Sequence, residues 1–152
     1  MTSKERVLAR ERDRGRSAAL DLASRAVAED LNGTALIAEQ DKIPAWSEKA
    51  VYGEKHIGFP VQDGNQVYKI LQGHRPADNP GVRPADLPAI YSIRHTKDPA
   101  KAKPYMAPNG TSGVYEKGDC CVYDGVTYRS VFEGDNVWSP VDYPAGWEEV
   151  AL

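Results

Sequence analysis

The chain has 152 residues, of which 41% are hydrophobic and 27% charged, and its net charge at neutral pH is −3. That length holds one ordinary domain or two modules of about half the size, and a module of roughly 40–50 residues needs neighbours to complete its core. No stretch approaches the ~20 consecutive apolar residues of a membrane-spanning helix. The charged opening Met1-Thr2-Ser3-Lys4-Glu5-Arg6 predicts no secretory signal.

Thr2 and Glu5 stand at capping-box spacing, and from Lys4 to Leu31 strong helix formers are interrupted only by Gly15. Leu20, Ala23, Val27 and Leu31 recur at i+3/i+4 spacing and predict a narrow apolar stripe. Asn32-Gly33 reads as a helix stop, with Thr34 re-capping a shorter helix to about Asp41. Residues 1–16 carry six basic side chains against three acidic ones, leaving +3 there and −6 in the remainder. Such a segment reads as a solvated helix laced with i,i+4 ion pairs, or as a basic arm for an acidic partner. So narrow a stripe suits docking on its own domain or a short coiled coil, and self-association is the favoured reading.

From Pro44 onward the texture changes. All eleven prolines, eleven of the thirteen glycines and all the aromatics lie there. Short strands between turn signals predict a mainly β arrangement. Two stretches repeat in the same order: Tyr52, Asp63-Gly64, Tyr68 and Pro84-Ala-Asp86-Leu-Pro88 against Tyr115, Asp124-Gly125, Tyr128 and Pro140-Val-Asp142-Tyr-Pro144. The tyrosine and proline pairs are offset by 63, 60 and 56 residues. Shared order with drifting loop lengths marks an internal duplication. The expected fold is therefore mainly β behind an N-terminal α-helix: a helical segment at 1–43, small antiparallel β modules at 44–95 and 113–152, and a linker at 96–112.

The chemistry-bearing residue types are sparse. Cys120 and Cys121 are adjacent, so a disulfide between them is disfavoured, and one buried and one partly exposed thiol are expected. His56, His74 and His95 lack metal-ligand spacing. Glu148-Glu149 is a carboxylate pair, but neighbours on a strand point apart. No nucleophile–base set or phosphate loop is present, so no enzyme, catalytic residue, metal or cofactor is expected.

Gly118-Asp119, Tyr123-Asp124-Gly125, Tyr128, Trp138-Ser139-Pro140 and Tyr143-Pro144-Ala145-Gly146-Trp147 resemble the small carbohydrate-binding modules of chitinases and cellulases, families 5 and 12. They are more similar still to the version found in tailed-phage and prophage structural proteins, often in tandem behind a helix. Trp46, Tyr52, Asp63-Gly64, Tyr68 and Pro88-Ala89 resemble a looser upstream copy. That copy departs from the pattern: Gly53-Glu54-Lys55-His56 replaces the first Gly-Asp turn, and the loop His74–Arg83 replaces the Trp-Ser-Pro motif. The 44–95 unit is accordingly a ligand site or only a spacer.

The resemblance implies a virion accessory protein, such as a head or tail fibre or a decoration, that touches host-surface polysaccharide. Exposed rings stack on the C–H faces of sugars while polar neighbours satisfy hydroxyls. Trp138, Tyr143 and Trp147 lie within one Pro-braced loop, with Asn136 and Asp142, and also Glu133 and Asp135, as hydrogen-bonding neighbours. Trp147 also reads as core, and Trp46 as a packing anchor. The expected partners are a host polysaccharide, other virion proteins through the N-terminal helix, and further copies of the chain, a trimer being favoured for avidity. Neither membrane nor nucleic acid is an expected partner. The alternatives are a capsid or tail cement that binds no sugar, or a targeting module for a chitinase or lysin.

Overall fold

The computed structural model describes residues 2–152. Thr2 caps α1 (Ser3–Ala28): its hydroxyl accepts the Glu5 amide at 3.1 Å, and the Glu5 carboxylate accepts the Thr2 amide at 2.6 Å. The second half of this helix lies on the chain's own body. Leu22 and Ala26 pack with Leu36, Ile37, Ile43 and Val67 in one apolar cluster. Each large side chain buried there contributes roughly 1.5–3 kcal/mol.

The face that docks is not the expected stripe. Leu20 and Val27 are 61% and 52% exposed and Leu31 is half-buried, so Ala23 alone of those four is buried. Alanines on several faces leave the phase of the stripe open, and Ala26 lets the helix approach where a larger residue would hold it off. Among the described residues the first half of α1 is left almost uncovered: of residues 3–17 only Ala9 is even half-buried.

Asn32-Gly33 begins a helix rather than ending one. The first helix stops at Ala28, with Asp30 in the left-handed region at φ 47°. Asn32 then caps α2 (Gly33–Ala38), its side-chain oxygen accepting the Ala35 amide at 2.9 Å. Glycine at 33 has a tertiary reason, since a Cβ there would collide with the His95 carbonyl.

Two sheets follow. The first is β1 (Pro60–Asp63), β2 (Gln66–Ile70) and β3 (Tyr91–Arg94), all antiparallel. The second is β4 (Lys103–Pro104), β5 (Cys120–Tyr123), β6 (Val126–Ser130) and β7 (Trp147–Glu149), in that order. Its β4–β5 pair is parallel and the others antiparallel. The fold is thus mainly β behind an N-terminal helix.

The duplication is written in the hydrogen bonds. Each unit opens with a residue pair running parallel to its hairpin, Ala45 beside Gln62 and Pro104 beside Val122. The next residue is aromatic and donates its amide to that partner's carbonyl, Trp46 to Gln62 and Tyr105 to Val122, both at 2.8 Å. Tyr52 exchanges both backbone bonds with His74, as Tyr115 does with Asn136. The hydroxyls of these tyrosines accept matching amides, Ser47 at 2.9 Å and Met106 at 3.1 Å. Tyr91 opposite Ile70 answers to Trp147 opposite Ser130.

That correspondence revises three readings. The hairpin turns superpose as Gly64-Asn65 on Asp124-Gly125, one residue from the Asp-Gly match, because in each turn both central residues have positive φ. The first-turn glycine of unit 1 is present as Gly58. Gly58 and Gly118, at φ 89° and 95°, donate to Ile70 and Ser130 at 2.8 Å. Third, the stretch 96–112 holds β4, the leading strand of the second unit, and is packed instead of loose.

This stretch also ties the units together. Met106 packs against the first unit's aromatic cluster, Gln66 donates to the Pro104 carbonyl at 2.8 Å, and Lys103 bonds Asn65 at 2.9 Å. His95 stacks on Tyr115 with centroids 3.7 Å apart, its Nε2 2.8 Å from the Gly113 carbonyl. A carbonyl only accepts, so Nε2 carries the proton. Burial, with Arg94 and Lys97 nearby, pushes the His95 pKa down against the pull of the Gly113 bond and Asp119.

Candidate functional site

The second unit keeps its rings in two groups. One is its core: Tyr115, Cys121 and Trp147 are buried together, with Tyr105 and Tyr128 packed against them. Both cysteines are free and both are buried, which corrects the expectation of one partly exposed thiol. Cys121 faces the ring core, while Cys120 is bridged to Thr96, its amide bonded to the Thr96 carbonyl at 2.8 Å. Burial pushes the Cys121 thiol up to about 12.

The other group is at the surface. Trp138 is 44% exposed and stands edge-on to Tyr143 and Phe132, with centroids 5.3 and 5.6 Å away. Tyr143 and Phe132 meet at 6.0 Å, and both are half-buried. Val137 and Val141 in the same loop are exposed as well. The three rings meet edge to face and leave Trp138 partly exposed, an arrangement suited to a flat apolar ligand surface.

A buried polar clasp fixes this loop from beneath. Asn136 is fully buried; its amide nitrogen donates to Ser130 Oγ and the Gly146 carbonyl, each at 3.1 Å, while its oxygen accepts the Trp138 amide at 3.3 Å. Trp147 is 6% exposed and donates its indole N–H to the Trp138 carbonyl at 3.0 Å. Ser139 Oγ accepts the Asp142 amide at 3.0 Å. Gly146 leaves room for the Tyr143 ring, which a Cβ would meet at 2.7 Å.

The expected site residues therefore divide. Trp138, Tyr143 and Asp142 reach the surface. Asn136 and Trp147 are under it and position Trp138 instead of meeting a ligand. Phe132, the third ring, was missing from the expected set; it sits two residues before Gly134, beside the Pro-braced loop. Glu133 pairs with Lys117, and Asp135 is exposed.

The first unit has no counterpart to this face. His74 takes the place of Asn136, and its Nδ1 is 2.7 Å from the Tyr91 hydroxyl, which accepts the Trp46 indole N–H at 3.0 Å. Trp46, Tyr52, Tyr68 and Tyr91 are all buried in one cluster. The Arg83 guanidinium lies over the Trp46 ring at 4.9 Å and pairs with Asp63. Where the second unit exposes rings, the first closes them under an arginine.

A cleft of roughly 210 Å³ at the seam is lined by Asn32, Arg94, His95, Lys97, Glu116 and Asp119 among others. Its charges are mostly spent internally: Lys97 contacts Asp119 at 3.0 Å and Glu116 at 3.4 Å. Among the described residues, no group of three His, Cys, Asp or Glu side chains is placed to hold a metal ion. Glu148 pairs with Arg129 at 3.3 Å, and it and Glu149 are open to solvent on the edge strand. Neither the models of known protein families nor the curated protein sequences match this chain.

Proposed function

We propose that this chain is a non-catalytic adhesion protein of a virion surface that holds host glycans through the Trp138–Tyr143–Phe132 face. The observation that carries the reading is the exposure of Trp138 in a loop whose backbone is already fixed by Asn136, Trp147 and Pro140. A preformed ring platform loses little conformational entropy on binding, which matters for a weak, flat ligand. Exposed Asp142 and Asp135 are the hydrogen-bonding neighbours for sugar hydroxyls. The virion setting rests on the motif resemblance of residues 113–151. The first unit serves as a scaffold, its rings being closed inward.

The test is binding of the whole chain to host-wall polysaccharide and to an array of soluble oligosaccharides, with Trp138→Ala and Tyr143→Ala alongside. Binding lost in both variants at unchanged thermal stability supports the reading, and no binding by the natural chain to any polysaccharide overturns it. Exposed Val137 and Val141 favour a second reading, a protein-facing cement, in which the same face is covered by another virion protein. Retention of the chain by purified virion proteins in a Trp138-dependent manner, without sugar, selects that reading.

A further inference from the structure

Charge is segregated along this chain more sharply than its total suggests. Residues 1–16 carry six basic and three acidic side chains, residues 17–112 eleven of each, and residues 113–152 two basic and eight acidic. The ends are thus +3 and −6 around a neutral middle. Among the described residues, none of Arg6, Arg10, Arg12, Arg14 and Arg16 pairs with a carboxylate, although Glu11 and Asp13 lie between them. Across residues 3–16 the i,i+4 ion pairs expected from the sequence do not form, although Asp21 and Arg25 pair further along the helix.

Arg6, Arg10 and Arg14 recur at i, i+4 and i+8, which aligns them as one stripe with a rise of about 6 Å per step. Val7, about half exposed, lies beside that stripe, while the equally exposed Leu8 is on the opposite face of the helix. The C-terminal unit carries the opposite charge, with Asp124 in the β5–β6 turn and Asp135 and Asp142 in the loop beyond β6. Glu116 and Asp119 are paired with Lys97, Glu133 with Lys117 and Glu148 with Arg129. Asp124, Asp135, Asp142 and Glu149 are exposed and, among the described residues, take part in no ion pair.

We propose that the arginine stripe of one copy's helical arm seats on the acidic C-terminal unit of a second copy. An arm-to-arm coiled coil is the poorer fit. It brings like charges together, and residues 3–17 offer only Val7, Leu8 and Ala9 as apolar side chains where a seam needs a sustained repeat. Arm against unit joins opposite charges, and such complementarity sets register and speeds encounter. The two surfaces are different parts of the chain, so reciprocal exchange closes a two-fold dimer and one-way exchange runs on as a chain of copies. This inference goes beyond the glycan reading and needs no sugar.

Light scattering on the whole chain tests it with two exposed charge reversals, Arg6→Glu/Arg10→Glu/Arg14→Glu and Asp124→Lys/Asp135→Lys/Asp142→Lys/Glu149→Lys. The natural chain is expected to exceed monomer mass at low salt and to fall back roughly tenfold or more in association toward ~1 M salt, where the screening length is about 3 Å. Each variant alone is expected to be monomeric, and the equimolar mixture to associate again. A monomeric natural chain at low salt overturns the proposal. So does a triple-arginine variant that associates like the natural chain, or a mixture that stays monomeric. If the chain is monomeric and its arm instead captures a duplex oligonucleotide, the partner is nucleic acid and the proposal fails. The triple-arginine variant keeps Trp138, so binding of a short soluble oligosaccharide reports on the glycan reading separately.

Discussion

Trp46 and Tyr105 occupy one position in two copies of the same fold, each donating its amide at 2.8 Å to a hairpin carbonyl and each packing beside a tyrosine whose hydroxyl accepts the next amide. From that shared frame the copies diverge at one loop. Between Gln72 and Pro88 the first unit closes its rings under Arg83, and between Phe132 and Pro144 the second opens three rings outward.

Trp138 and Trp147 are expected to separate binding from folding. Trp147→Ala removes a buried ring and should cost about 3–5 kcal/mol in chemical denaturation. Trp138→Ala should change stability by less than about 1 kcal/mol while abolishing retention on polysaccharide. Equal destabilisation by the two would place Trp138 in the core and remove the basis for an open platform.

Gly146→Ala puts a methyl group into the Tyr143 ring and against the Asn136 amide. Overpacking of this kind typically costs about 1–3 kcal/mol, and here it also displaces the ring beside Trp138. A shift in tryptophan emission together with weaker glycan binding is the expected pair of results. Gly53→Ala, where a Cβ meets nothing within 4 Å, is the control and should be silent in both.

Tyr91→Phe removes a hydroxyl that joins Trp46 Nε1 to His74 Nδ1. A buried indole N–H and a half-buried imidazole nitrogen then lose their partner, at roughly 1–3 kcal/mol. The midpoint of urea unfolding measures this, and a change under ~0.5 kcal/mol would mean that the indole and imidazole find other partners.

His95 should make the seam acid-sensitive. Its folded pKa lies below the ordinary 6.5, because desolvation, Arg94 and Lys97 outweigh Asp119 and the Gly113 bond. The unfolded chain therefore binds a proton first as pH falls. Stability is complete above about pH 6.5 and declines below it, by at most about 1.4 kcal/mol per pH unit. Unfolding midpoints at pH 7.5 and 5.5 should differ in the natural chain and converge in His95→Gln, which keeps a side-chain N–H for Gly113. An unchanged difference in the variant would assign the effect elsewhere.

Both thiols are expected to resist reaction while the fold is intact. Burial raises the Cys120 pKa and lifts Cys121 to about 12, leaving almost no thiolate at pH 8. A thiol-titrating disulfide reagent should count close to zero groups in the native chain and two after denaturation. Fast labelling of either under native conditions would show that the second unit opens readily.

Much of the fold was legible because local chemistry stated it. The Thr2–Glu5 cap, the break in texture at Pro44 and the repeated turn–tyrosine order each rest on residues a few positions apart. Where an assignment needed a partner from far along the chain, the sequence misled. Asn32-Gly33 has stop-signal chemistry, but the close approach of His95 makes it a start. The second unit's leading strand was hidden in 96–112 because its marker is Tyr105 in place of a tryptophan, ten residues before Tyr115 where Trp46 precedes Tyr52 by six. At the candidate site the rings of the loop could be named, yet Asn136 and Trp147 look no different in sequence from ligand contacts.

The amino-acid sequence alone determined that a capped helix precedes two related, turn-rich β units, and that the chain's charge collects at opposite ends. Periodicity, capping and turn preferences act over a few residues and are readable without a partner. Only the tertiary structure decided which rings are wet, which face of α1 docks, and that the arginines of its free half pair with no carboxylate among the described residues. Those outcomes depend on which surfaces meet across tens of residues, and on whether a glycine, an alanine or a buried amide lets them approach.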